Sequence, residues 1–292
     1  MKLADNWVDY KVIATGNGNK LEQWGAVCLL RPDPQVIWHE NFCLEKFSKL
    51  NAVYLRSSSG GGNWEVKKPF ADEWVISYPL FDRVLKLSVK AMGFKHTGVF
   101  PEQSVNWQTL YKIIKSKSTG LIENSQIKVL NLFGYTGAAS VVCSLAGAKV
   151  THVDAAKNMV QVCKQNSQLN CTSNIRYIVE DCNVFVQREL KRGNMYQGII
   201  MDPPSFGRGP NNQPWKLTDH ICDLVKNSSK LLSKQPLFFL INSYTTGLQP
   251  SVLQNILKMF LPSGNIQVYE LALPTEEKDI ILPCGCSGLW NL

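Results

Sequence analysis

Three groups of residues have the types and spacing for chemistry. Gly134-Tyr135-Thr136-Gly137 interrupts an apolar run from Ile127 to Leu132 and opens onto the small residues Ala138 and Ala139. Asp154 ends a second apolar stretch, Lys149 to Val153, about 20 residues after Gly134. Asp202-Pro203-Pro204-Ser205-Phe206 ends a third, Met195 to Met201. A glycine turn between a buried strand and a helix lets the backbone approach a nucleotide-like ligand closely, and an acid ending the next strand can accept from both ribose hydroxyls. Two successive prolines fix the backbone, so carbonyls beside Asp202 are held in place for a planar nitrogen donor, with Phe206 able to stack on its ring. Gly-x-x-Gly falls short of the full dinucleotide fingerprint. Asp154 also has a second use open to it, as the N-cap of a helix predicted from Ala155 to Leu169.

In this order, the glycine turn, the ribose acid and Asp202-Pro203-Pro204 resemble the class I S-adenosylmethionine-dependent methyltransferases. The resemblance implies S-adenosylmethionine as cofactor, held by Asn131, Phe133, Gly134, Thr136 and Gly137 of the turn, by Asp154 with Ala155, and by Asp202. It also implies that the helix beginning at Ala138 points its positive end at the methionine carboxylate. After the strand Ile175 to Val179, Asp181 is implied as acceptor for the adenine amine with Cys182 alongside; Asp181 could equally be only the N-cap of the helix that ends at Gly193. Asp202, Pro203, Pro204 and Phe206 are the residues implied on the reacting side.

Thr97-Gly98-Val99-Phe100-Pro101-Glu102-Gln103 resembles the lead-in of the ribosomal-RNA large-subunit cytosine methyltransferase family, where this segment packs over the cofactor. Phe100 and Gln103 become cofactor candidates on that match; a simple interdomain connector is the plain alternative. The resemblance covers about residues 97 to 290 and departs from the pattern at one place. Methylating a pyrimidine carbon requires a thiolate to add to the ring first. The related cytosine enzymes carry a cysteine in the turn after strand five, whereas here that turn is Ser243-Tyr244-Thr245. Cys284 and Cys286 are the remaining candidates for a displaced nucleophile; direct transfer to nitrogen or oxygen needs none.

The elements required to position these residues follow from the pattern. The fold class expected is α/β, a Rossmann-like class I methyltransferase sheet of seven strands with the last antiparallel, over residues 97–292, preceded by a small β-rich domain over 1–96. Strand five is expected at Pro236 to Asn242, strand six at Asn265 to Leu273 and strand seven at Asp279 to Leu282. Ser104 to Ser116 reads as a helix burying Trp107, Leu110, Tyr111 and Ile114, with Lys112 and Lys115 outward. Before residue 93, short apolar runs alternate with turns: Tyr10 to Ala14, Ala26 to Leu30, Val36 to Trp38, Val53 to Leu55, Trp74 to Ile76 and Val84 to Val89. Ser57 to Gly62 reads as a flexible loop, and Gly207 to Pro214 as a substrate lid or a plain surface excursion. The aromatics Trp7, Tyr10, Trp24, Trp38, Tyr54 and Trp64 suit a small β core, or stacking on bases.

Composition narrows the classes. A 292-residue chain that is 45% apolar builds a sizeable core, and 31 basic against 23 acidic residues leave a charge of +8. The densest basic window, Arg83 to Lys117, carries seven Lys or Arg and one acid, Glu102. That balance favours a polyanion, RNA and ribosomal RNA foremost given the resemblance. A protein or small-molecule acceptor, and a cofactor-binding protein without catalysis, are the competing functions. Nine scattered cysteines read as reduced thiols, and the lone Cys284-Gly285-Cys286 pair as no metal site. Charges within Met1 to Tyr10 and the lack of an 18-residue apolar run point to a cytoplasmic enzyme without a membrane span. A homo-oligomer is compatible with the sequence.

Overall fold

The computed structural model describes residues 1–57, 61–118, 126–208 and 214–292. The inner parts of the expected loop at Ser57 to Gly62 and of the expected lid at Gly207 to Pro214 lie outside the described residues. The chain forms two compact units, Met1–Val105 with Leu271–Cys284, and Asn106–Glu270 with Gly285–Leu292. The first unit is therefore completed by a segment far along the chain, which a single boundary at residue 96 does not capture.

The first unit contains β1 (Lys2–Leu3), β2 (Tyr10–Gly16), β3 (Asn19–Trp24), β4 (Val27–Pro32), β5 (Leu50–Arg56), β6 (Gly62–Val66), β7 (Glu73–Leu80) and β8 (Arg83–Lys90). Strands β2 to β6 form one sheet in sequence order, and β7 with β8 form a separate hairpin. Asn17 and Gly18 join β2 to β3 with φ of 49° and 78°, the paired left-handed residues of a tight hairpin turn. Val36 to Trp38 is no strand: the Val36 and Trp38 carbonyls accept from the Gly18 and Asn17 amides, so this stretch closes over that turn. β3 and β6 were not expected. β6 hides in a glycine-rich stretch, and β3 carries Lys20 and Glu22 where a buried strand normally shows apolar residues.

Those charges are buried because they are paired. Glu22, fully enclosed, accepts from the Tyr10 hydroxyl at 2.6 Å and from Arg31 Nε at 2.6 Å, while Lys20 lies 3.6 Å away and reaches Asp33 at 3.1 Å. The Arg31 guanidinium also lies over the Trp24 ring. Burial alone would raise the Glu22 carboxyl, but the Arg31 and Lys20 charges and the two bonds outweigh it and hold it at about 2. The distant segment is fastened to β2: the Thr15 amide and hydroxyl donate to Glu277, and the Glu276 amide donates to the Val12 carbonyl.

Into the second unit runs α1 (Ser104–Ser118), burying Trp107, Leu110, Tyr111 and Ile114 as the spacing predicts. The remaining elements are β9 (Lys128–Leu132), α2 (Ala138–Leu145), β10 (Lys149–Asp154), α3 (Lys157–Leu169), β11 (Ile175–Val179), α4 (Cys182–Arg192), β12 (Gly198–Met201), β13 (Phe206–Arg208), β14 (Pro214–Lys216), α5 (Leu217–Ser229), β15 (Phe238–Ser243), α6 (Pro250–Phe260), β16 (Asn265–Pro274) and β17 (Ile281–Asn291). The sheet order is β16-β17-β15-β12-β9-β10-β11. β9 to β12 and β15 pair in parallel, and β17 lies antiparallel to β15. An eighth strand, β1, pairs with Leu271 and Ala272 of β16. Strand seven runs on through Cys284-Gly285-Cys286 to Asn291 rather than stopping at Leu282. Among the described residues, no helix is long and apolar enough to cross a membrane.

Glu22→Ala should cost about 3–5 kcal/mol in denaturant titrations, because it strands Arg31 in the core. In the parent protein the Glu22 contribution is present above pH 4.5, the ordinary value for its carboxyl, and is lost as pH falls through about 2. An acid-unfolding limb of equal depth in Glu22→Ala would contradict this.

Candidate active site

The parallel order reverses between β9 and β12, and the crevice beyond the strand ends at such a reversal is where α/β sheets take ligands. The residues singled out on β9, β10, β11 and β12 all fall at this end. Four bonds lace the strand ends together. The Gly134 amide donates to the Val153 carbonyl at 3.0 Å and the Asp202 amide to the Leu132 carbonyl at 3.4 Å. The Glu180 amide donates to the Asp154 carbonyl at 3.1 Å, and the Phe133 amide to Cys182 Sγ at 3.2 Å.

The turn after β9 is a strained backbone: Phe133, Tyr135 and Gly137 have φ of 55°, 51° and 83°, the first two without the freedom of glycine. Both glycines are required by packing. A Cβ on Gly134 would lie 2.4 Å from the His152 ring, and one on Gly137 would lie 2.1 Å from Cys163 Sγ. His152 is locked from below by Ser140 Oγ at 3.0 Å, which accepts from Asn131 Nδ2 at 2.8 Å. Asn131 is thus buried and engaged with the start of α2. Burial holds the His152 imidazole down at about 4, so it is neutral at pH 7. Thr136 is also buried, its carbonyl taken by Asn166.

Asp154 is not the N-cap of α3, a position held by Ala156. Its Oδ2 accepts from the Tyr135 amide at 2.9 Å and its Oδ1 from the Ala156 amide at 2.8 Å. Burial raises its carboxyl against the pull of these two amides. The carboxylate therefore shapes the turn while retaining lone pairs for a diol. Ala155, next to it, is exposed. Asp181 does cap α4: its Oδ1 accepts from the amides of Asn183 and Val184. Cys182 lies behind the turn, and burial keeps its thiol protonated. At α2, Gly137 is the N-cap and, lacking a side chain, gives the first turn no side-chain cap.

On the other side, Asp202 and Ser205 are partly exposed, Pro203 is buried and Pro204 is open. Ser205 Oγ accepts from Thr245 Oγ1 at 2.8 Å, which joins this loop to the turn after β15. Phe206 is 71% exposed on β13. The Trp215 indole on β14 donates to the Pro204 carbonyl at 2.7 Å and lies 5.7 Å from the Phe133 ring. Sequence reasoning passed over Trp215, one residue beyond the expected lid, and His152, masked by its place inside an apolar strand. Phe100 and Gln103 belong to the first unit, Phe100 before a short 3-10 turn and Gln103 buried within it. Their assignment rests on the resemblance alone.

Burial raises the thiols of both terminal cysteines. Cys286 stands opposite Ser243 in register, but its thiol is buried against the Leu248 carbonyl and burial pushes it up to about 11. Cys284 lies in the first unit, and burial raises it well above the usual thiol range.

Asp154→Ala should remove the carboxylate's bond to the Tyr135 amide, raising its hydrogen exchange by about tenfold or more, as loss of a bond to a charged acceptor implies. The measurement is native-state exchange, with the β9 strand amides as the unaffected reference.

No family model matches the chain. Among curated proteins, it is 32% identical over 157 residues to the ribosomal RNA large subunit methyltransferase K/L of Pseudoalteromonas atlantica, covering 52% of this chain and 20% of that protein. It is 30% identical over 125 residues to the ribosomal RNA large subunit methyltransferase I of Aeromonas hydrophila, covering 42% and 29%. The chain thus spans less than a third of the length of these two relatives. A putative S-adenosylmethionine-dependent methyltransferase from Streptococcus mutans shares the fold, with a TM-score of 0.73 at 15% identity over 98% of this chain and 76% of that one. The structure of the S-adenosylmethionine-dependent methyltransferase from Agrobacterium tumefaciens superposes with a TM-score of 0.88 and 30% identity over 100% of this chain and 93% of that one. With that match along its whole length, the chain belongs to the S-adenosylmethionine-dependent methyltransferases.

Proposed function

We propose that this protein methylates ribosomal RNA on a base nitrogen by direct transfer from S-adenosylmethionine. The observation that carries this reading is the convergence, at one end of a single sheet, of the glycine turn, the Asp154 carboxylate and the Asp202-Pro203-Pro204 loop. The residues fit the cofactor. The uncapped first turn of α2 suits a carboxylate, Asp154 suits the ribose diol, and Asp181 keeps lone pairs for the adenine amine. When bound, S-adenosylmethionine supplies an electrophilic methyl group on a sulfonium. The protein's part is positioning: the proline-fixed loop holds the acceptor in line, and Asp202 beside it accepts a proton-bearing edge. The Thr245–Ser205 bond keeps that loop in place.

Direct transfer is supported by the thiols. No cysteine stands in the turn after β15, and Cys284 and Cys286 are held protonated by burial. RNA as the acceptor is supported by the curated relatives' names, the +8 charge and exposed Lys86, Lys90 and Lys112 in the basic window. Nine free thiols suit the reducing cytoplasm.

The test is transfer of labelled methyl to total RNA from a strain lacking the gene, followed by nucleoside separation. The label should appear in an N-methylated nucleoside, and Cys284→Ser and Cys286→Ser should leave the rate unchanged. Labelled 5-methylcytidine abolished by either substitution would overturn direct transfer; label only in protein or small molecules would overturn RNA as acceptor. Asp154→Asn should weaken S-adenosylmethionine binding by about tenfold in calorimetry, the worth of bonds to a charged group.

A further inference from the structure

The indole of Trp215 makes the contacts that a nucleobase would make at this site. Its ring N–H donates to the Pro204 carbonyl at 2.7 Å. The His220 ring lies parallel to it, 4.9 Å away at 17°, and the Phe133 ring of the cofactor turn lies 5.7 Å away at 43°. A planar ring with an N–H edge on a fixed carbonyl and aromatic neighbours is also how single-stranded bases are held. We propose that Trp215 is a surrogate for the acceptor base: it occupies the Pro204 carbonyl until a base bearing an N–H edge displaces it. The inference rests on the nucleobase-acceptor reading above.

The contact is built to be exchanged. Pro204 is open to solvent and Trp215 is only half-buried. β13 and β14 pair over three residues, too short a ribbon to be rigid on its own. The neighbouring Leu217 amide donates to the Ser205 carbonyl at 3.0 Å, which anchors the start of α5 while the indole turns away. Displacement exchanges one N–H···O bond and one stacked ring for another. A base with an N–H edge recovers both, and a base without one loses the bond, so the exchange discriminates between acceptors before any methyl moves.

Trp215→Phe separates this from a wall that merely braces Pro204. It keeps a ring beside His220 and Phe133 and removes the donor. As a surrogate, its loss leaves the carbonyl open, so KM for the RNA acceptor falls about fivefold, the ratio set by a neutral hydrogen bond of ordinary strength. A raised KM or a reduced kcat in Trp215→Phe would overturn the proposal. Independently, the full-length protein labelled with 5-fluorotryptophan gives a Trp215 fluorine signal, assigned by its loss in Trp215→Phe. With S-adenosylhomocysteine bound, adenosine, cytidine or guanosine should shift this signal, and N6,N6-dimethyladenosine should not. A signal unmoved by all three nucleosides, or moved equally by the dimethyl compound, would overturn it. A shifting signal in a protein that labels no RNA would retain the base site and reject the ribosomal-RNA reading instead; labelled RNA with an unmoved signal would do the reverse.

Discussion

The Asp154 carboxylate is the constraint on which the active end of the sheet depends. One oxygen holds the Tyr135 amide of the glycine turn and the other the Ala156 amide ahead of α3. Tyr135 has a left-handed backbone that a non-glycine residue adopts only when its surroundings impose it. The carboxylate imposes it from one side and the His152 ring, against Gly134, from the other. Below them, Ser140 and Asn131 fix His152, so the turn rests on a stack of polar groups that reaches into α2 and β9. Strain in the turn is offset by this stack, which is why residues remote from any ligand matter to its shape.

Sequence alone sets two uses of Asp154 in opposition, ribose contact and helix capping. In the structure its two oxygens bond the Tyr135 and Ala156 amides, one each, and the N-cap position of α3 falls to Ala156. Asp181 does cap its helix, α4, through Oδ1 only. The crevice is lined by acids already committed to backbone, and their geometry is set before a ligand arrives.

Much of the catalytic sheet was legible because a parallel sheet buries both faces and prints long apolar runs, as in β9, β12 and β15. Strand ends were legible through Asp154, Asp181 and Asp202. The first unit was harder. β3 is hidden because Lys20 and Glu22 are buried as a paired cluster rather than as apolar residues, and Val36 to Trp38 imitates a strand while closing a turn. Trp215 was missed because its meaning depends on the Pro204 carbonyl, 11 positions away in sequence. The end of strand seven was missed because Pro283 and the glycine between the cysteines look like punctuation. In fact Gly285 lies against Ser243 and Tyr244, where a side chain has no room.

The first unit draws its last piece from residues 271–284, and the Glu276 and Glu277 contacts to β2 join residues more than 250 positions apart. Loop-closure entropy delays contacts of such range. During synthesis, β2 and its neighbours emerge early but cannot complete their bonding until Glu276 and Glu277 have been made. The β-rich unit is the first to appear and among the last to be finished.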